Sequence, residues 1–320
     1  MSSEMFEEVS MKAISGKLIF AEADKFKASL SDEEARRISK LYSDWSKELG
    51  ERAKYFKKKD TFSAALEYRQ MMMLKDLLKN QSYAIAGKVK DITVNGMLAV
   101  SKSVIGCNDK FLVDLGFSKV GVDMAYSSVS TDVVNALVNG KIYKGGWNLS
   151  KSIWGDQQKT LQELYGIVAK GAAQNMSAYD VSKLLEKYVD TSKAKQWNLR
   201  MDDGTYIYKR KVDYNAQRLV RTLNQHAYQQ TMITAAKDNP FIKGIIWRAN
   251  GSRVCDICAD LDGQFFRWAD VPMDHPNGMC TMEPAIDPDM EDKLARWVNS
   301  DAGTYPDIDE FASKLGYDED

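Results

Sequence analysis

The chain has 320 residues, 44% of them hydrophobic and 28% charged, enough for a buried core and for more than one domain, which excludes the disordered and collagen-like classes. Its 44 Lys and Arg stand against 45 Asp and Glu, a formal net charge of -1, so the molecule as a whole does not attract DNA or an anionic membrane, and any nucleic-acid contact must be local. Few prolines beside generous Trp and Met point to a mainly α chain.

The opening residues put acids where a secretory signal needs a basic start, and Lys12 and Lys17 interrupt their apolar run. No export signal is therefore expected. A membrane span is not expected either, because no stretch of about eighteen apolar residues occurs. Residues 1–140 read as a helical N-terminal region. Ser31, Asp32, Glu33 and Glu34 have the form of a capping box, which predicts a long helix from there toward Lys58 with Leu41, Trp45 and Leu49 on its apolar stripe. Lys57, Lys58, Lys59 and Asp60 break the pattern. A second helix then carries Phe62, Ala65, Tyr68, Met72, Leu74, Leu77 and Leu78 at three- and four-residue steps, giving a helical hairpin. Met71, Met72 and Met73 read as adaptable core filling. Further helices are expected between 84 and 138, with a break at Gly106, Cys107 and Asn108, and Cys107 reads as an inert small residue.

Gly140, Gly145 and Gly146 mark an irregular connection ahead of Trp147, Leu149, Ile153 and Trp154, which places a boundary near 140 and opens a helical middle domain over 141–240. Within it a helix is expected from Asp156. Another is capped by Ser177 through Asp180, with Val181, Leu184, Leu185 and Tyr188 on one face. Residues 193–221 are locally basic, with Lys193, Lys195, Arg200, Lys209, Arg210, Lys211, Arg218 and Arg221 interleaved with Trp197, Tyr206 and Tyr208; this is either a solvated face or a contact to phosphates. A helix from Asp213 to Lys237 ends at Asn239 and Pro240, and its His226 reads as an ordinary polar or core histidine. The stretch beyond Pro284 is acidic, and Trp297 and Phe311 within 287–320 suggest short docked helices there.

Three of the four cysteines fall in one short window, which points away from a disulfide scaffold and toward a site in a reducing compartment. Cys255 and Cys258 form C-x-x-C, and His275 and Cys280 form H-x4-C. A two-residue gap lets a tight turn aim both sulfurs at one ion, and the insert returns the second pair to complete a tetrahedron. Zn²⁺ is the expected ion. The insert has hairpin signals: Ile245, Ile246 and Trp247 as one strand, Asp262-Gly263 as a turn, and Phe265, Phe266 and Trp268 as the returning strand. Residues 241–286 are thus expected to form a small α+β subdomain stapled by a structural zinc, closed by four protein ligands and contributing directly to folding. A redox C-x-x-C would want a βαβ setting that the sequence does not supply.

Residues 140–286 resemble the Mu F-like minor head proteins of tailed bacteriophages, the phage head morphogenesis family. The resemblance lies in an ordered series: G-G-W-N-L-S-K-S-I-W from Gly145 to Trp154, R-x-x-R-T from Arg218 through Arg221 to Thr222, Trp247 leading into S-R-V-C-D-I-C from Ser252 to Cys258, then Leu261-Asp262-Gly263 and His275-Pro276-Asn277. Two positions depart from the family pattern. Leu223 stands where Glu commonly follows R-T, and Gly278 and Met279 precede Cys280 where the family ends H-P-x-C-R-C. The first 140 residues match only in being helical. The resemblance implies a non-enzymatic structural component of the phage head, made in the bacterial cytoplasm and lying inside the capsid near the portal protein. Major capsid or scaffolding protein and packaged DNA are further partners it implies, and no small-molecule substrate is expected.

The residues themselves show no phosphate-cradling glycine loop and no paired Ser and His. Two rivals remain open. One is a zinc-supported HNH-type nuclease, suggested by Asp274-His275 after a C-x-x-C, although no later Cys or His follows Cys280. The other is a DNA-binding zinc module using the basic stretch ahead of the cluster, which would bind with steep salt dependence.

Overall fold

The computed structural model describes residues 3–56, 64–143, 145–174, 176–191, 212–250, 254–301 and 303–317, with the backbone alone at 3–18, 64 and 65. The chain is mainly helical, with one small antiparallel sheet near the C-terminus. Two long helices come first, α1 over Ser3–Ala53 and α2 over Ala64–Asp114. Shorter helices follow: α3 over Lys119–Tyr126, α4 over Val129–Val138, α5 over Leu149–Ala173, α6 over Ala178–Val189 and α7 over Tyr214–Ala236. Strand β1 at Ile242–Arg248, helix α8 at Asp256–Leu261, and strands β2 at Phe265–Phe266 and β3 at Thr281–Ile286 form the sheet region. Helices α9 over Met290–Val298 and α10 over Pro306–Lys314 close the described chain. No described helix is long and apolar enough to cross a membrane.

Several local expectations change. Ser31 does not start a helix but lies inside α1, where its hydroxyl accepts from Asn224 Nδ2 at 3.1 Å; a capping signature costs a helix interior little, so a helix already under way runs through it. Gly106, Cys107 and Asn108 likewise fail to break α2. One glycine costs about 1 kcal/mol in a helix, which the burial of the flanking Val104, Phe111 and Leu112 outweighs. Of the three methionines, Met71 is buried while Met72 and Met73 face outward. The helix expected from Asp156 begins earlier, at Leu149, because Asn148 Oδ1 accepts from Lys151 N at 2.9 Å and caps it. The Ser177 cap forms as expected, its hydroxyl accepting from Asp180 N at 3.2 Å. The break at 57–60 and the basic positions 193–211 lie outside the described residues.

The chain divides into two compact units, each drawn from separated stretches. One comprises 32–93 and 143–220. Its core holds Tyr42, Trp45, Leu49, Leu74, Leu78, Leu164 and Leu185, each large apolar side chain contributing about 1.5–3 kcal/mol by leaving water. Buried Gln157 donates to Tyr42 Oη at 2.9 Å and accepts from Ser82 at 3.1 Å, so these three buried polar side chains satisfy one another.

The other unit comprises 1–31, 94–142 and 221–320 and carries the cysteine and histidine cluster. Its sheet has the order β2-β1-β3, both pairings antiparallel, with Ile245 opposite Phe266 and Pro284. The two-stranded hairpin expected from the sequence is therefore completed by a third strand, which takes Pro284 on an edge strand where its missing N–H costs no ladder bond. Trp247 is 1% exposed. Phe117 packs edge-on to Phe311 with ring centroids 5.7 Å apart, Phe241 and Trp297 join the same cluster, and Trp297 Nε1 donates to Asp309 at 2.7 Å. The acidic C-terminal stretch thus supplies two docked helices, as Trp297 and Phe311 suggest.

Asp287 fixes the turn from β3 into α9. Its N–H donates to Phe241 O at 2.8 Å, and its carboxylate accepts from Asp289 N at 3.1 Å and pairs with Lys243 at 2.9 Å and Lys293 at 2.6 Å. Burial raises its pKa, but the two lysines outweigh that and hold it down to about 2. A depressed carboxylate pKa stabilises the fold above the unfolded value and loses that stabilisation as pH falls through the folded one. Asp287→Asn should therefore cost about 1–2 kcal/mol at neutral pH. In denaturation experiments from pH 6 down to pH 2 the gap to the wild type should shrink steadily; a gap that stays constant would mean the charge contributes nothing.

Candidate metal centre

The cluster is assembled by three pieces of chain. Cys255 caps α8, its sulfur accepting from Cys258 N at 3.5 Å, so the first turn of that helix turns both sulfurs the same way. Behind it the chain is tied to β1: Gly263 N donates to Trp247 O at 2.8 Å, Trp247 N donates to Gln264 O at 2.9 Å, and Asp262 accepts from Ala249 N at 2.9 Å. Gly263 has φ +77°, a left-handed turn that suits glycine.

The second piece is the turn at 275–278. Gly278 N donates to His275 O at 2.8 Å, with Pro276 next and Asn277 at φ +66°, the residue pattern of a type II turn in which the third position needs positive φ. The turn brings Cys280 back to Asp274, whose carboxylate accepts from His275 N at 2.8 Å and from Cys280 N at 3.3 Å.

The third piece is α7, which holds that loop from beneath. Thr222 Oγ1 accepts from Asn277 N at 2.8 Å, and Gln225 Nε2 donates to Cys280 O at 2.6 Å. His226 Nε2 lies 3.0 Å from Asp274 O, so this nitrogen carries the proton. Gln229 accepts from Asp274 N at 3.1 Å and donates to Pro272 O. Positions 222, 225, 226 and 229 share one helical face. Lys27 reinforces the platform by bonding to Gln225 at 2.5 Å, while pairing with Asp24 at 2.7 Å and lying over the Tyr228 ring. His226 is buried and its pKa is lowered by burial; it is a neutral brace for the loop, in keeping with its reading as a polar core residue.

The four expected ligands do not form one group of mutually close atoms: Cys255, Cys258 and His275 come together, while Cys280 joins Cys258 through a fifth residue, Asp274. The potential ligand atoms of Cys255, Cys258 and His275 lie within 4.8 Å of one another, as do those of Cys258, Asp274 and Cys280. Cys258 belongs to both sets. Cys255 Sγ is 3.4 Å from His275 Nε2, close to the roughly 3.5 Å edge of a tetrahedron built on typical zinc–sulfur and zinc–nitrogen bonds. Cys258, Asp274 and Cys280 are buried; Cys255 and His275 face outward. Gly278 supports the fit, since a side-chain carbon there would overlap the Asp274 carboxylate.

The electrostatics divide the cysteines. The Cys258 N–H lowers the Cys255 thiol, helped by the Cys258 side chain and His275, whereas burial and the neighbouring Cys255, Cys280 and Asp274 push Cys258 strongly up. Burial pulls His275 down, but Pro276 O, Asp274 and Cys255 outweigh it and raise it. Thiolates and a carboxylate crowded together in this way are stabilised by a cation, and the donor set can hold a metal ion. The sequence singles out Asp274 only for the nuclease reading and not as a partner of the thiols, and it does not single out the α7 ladder. The signal for the ladder was present as Thr222, Gln225, His226 and Gln229 on one face of a helix that also carries Leu219, Val220 and Leu223.

No protein-family model, curated protein or solved structure matches the chain.

Gln229 is 0% exposed and has both amide groups committed to the loop. Gln229→Leu preserves volume but leaves Asp274 N and Pro272 O unpaired, which should destabilise this unit by about 1–3 kcal/mol per group. Chemical denaturation should show that loss; an unchanged midpoint would mean that the loop is held by something other than α7.

Proposed function

We propose that this protein is a minor structural component of a bacteriophage head, associated with the portal protein inside the capsid and acting in head morphogenesis or genome delivery. The observation that carries the reading is a meeting of two motifs. Thr222 of R-x-x-R-T bonds to the backbone of Asn277 in H-P-N at 2.8 Å, so two elements of the ordered series that suggests the family, far apart in sequence, serve one local arrangement. In this reading the ion is zinc and its role is structural. Zinc suits a set of thiolates and imidazole, and closing a small sheet and loop by metal supplies folding energy that a short segment cannot gather alone.

The portal contact is assigned to the helical N-terminal region. Tyr68, Met72 and Met73 on α2 are 68%, 40% and 63% exposed, which provides apolar side chains of the kind that helix-mediated docking uses. Contact with packaged DNA would fall to the basic stretch around 193–221. The nuclease rival fits less well, because Asp274 is 4% exposed and turned toward Cys258 and Cys280 rather than toward solvent, whereas phosphodiester hydrolysis needs groups that reach a substrate.

Mass spectrometry of purified particles and of DNA-free precursor heads tests this. The chain should be present in both, at a copy number comparable to or below that of the portal subunit. Its absence from both would overturn the structural reading and turn attention to a nuclease or DNA-binding role.

A further inference from the structure

We infer that Asp274 is itself a metal ligand, its carboxylate sharing one divalent ion of the zinc class with the thiolates of Cys258 and Cys280. The inference rests on reading the cluster as a metal centre and is independent of the phage assignment. Its ground is the environment of the carboxylate. Asp274 is 4% exposed, and among the described residues no Lys, Arg or His forms an ion pair with it. One of its oxygens and the sulfurs of Cys258 and Cys280 lie within 4.8 Å of one another and all three residues are buried, so three donor atoms converge on one place.

The carboxylate is also held as a ligand would be. His275 N at 2.8 Å and Cys280 N at 3.3 Å each donate to one of its oxygens, fixing its plane while leaving further lone pairs for an ion. Its backbone is fixed as well, by Gln229 on the N–H and His226 on the carbonyl. Buried side chains on α7 thus orient a group on the neighbouring loop, as outer partners orient metal ligands. Gly278 leaves room where the carboxylate lies. Cys258, Asp274 and Cys280 form the buried side of the centre, and Cys255 and His275, joined to Cys258 within the same 4.8 Å limit, offer two candidates for a fourth ligand.

The test uses the full chain loaded with Co²⁺ under reducing conditions, as wild type, Asp274→Asn and Asp274→Cys, with circular dichroism as a check on folding. Metal per chain and the visible spectrum are read for each. The wild type should bind close to one ion. Asp274→Asn should shift the ligand-field bands and weaken binding by more than about tenfold. Asp274→Cys should keep the ion and intensify the sulfur-to-cobalt charge-transfer absorption, an effect that a brace for the loop would not produce. If the wild type binds Co²⁺ but Asp274→Asn keeps its bands and affinity and Asp274→Cys adds no charge-transfer intensity, Asp274 is only a loop brace and the inference falls while the metal centre stands. A wild type that binds no Co²⁺ overturns both. If Asp274→Asn fails to fold, the Asp274→Cys spectrum decides.

Discussion

The arrangement depends most on the row of polar side chains along α7. A loop made of Pro272 to Cys280 has little regular structure of its own, and its backbone groups are partly buried, so each must find a partner. Thr222, Gln225, His226 and Gln229 provide those partners at the spacing of one helical face. Without them the loop would keep only its own turn bond and the bonds of the Asp274 carboxylate to His275 N and Cys280 N. The helix therefore acts on the site through the backbone that carries the donors, while the donors themselves come from elsewhere.

The apolar core and the metal cluster are continuous. Cys258 and Cys280 are buried in the same hydrophobic cluster as Trp247, Met282 and Tyr228, and burial pushes the Cys258 thiol up. The outer pair, Cys255 and His275, lies at the surface. The candidate donors thus run from the core, at Cys258, Asp274 and Cys280, to the surface, at Cys255 and His275.

Much of this was legible in the sequence, and the reasons differ by element. The C-x-x-C spacing and the H-x4-C pair gave the four cysteine and histidine positions because metal ligation constrains spacing directly. Ile245 to Trp247 and Phe265-Phe266 showed as strands because alternation and aromatic content survive in short segments. β3 was hidden by Pro284 and by the acidic residues after it, which look like a tail until β1 is seen to offer a free edge. Ser31 and Gly106 misled because caps and glycines are weak local preferences that a long buried helix overrides. Asp274 was invisible as a donor because aspartates abound, and only the turn at Asn277 and the bare Gly278 bring it against the thiols.

If the centre holds a metal ion as proposed, that ion and the α7 ladder together keep the Cys/His loop and the third strand in place. Hydrogen–deuterium exchange on the purified full chain, before and after removal of metal by a chelator, tests it most directly. Protection across 254–286 should fall sharply on chelation while the helices of the 32–93 and 143–220 unit keep theirs. Equal protection across 254–286 in both states would contradict the account.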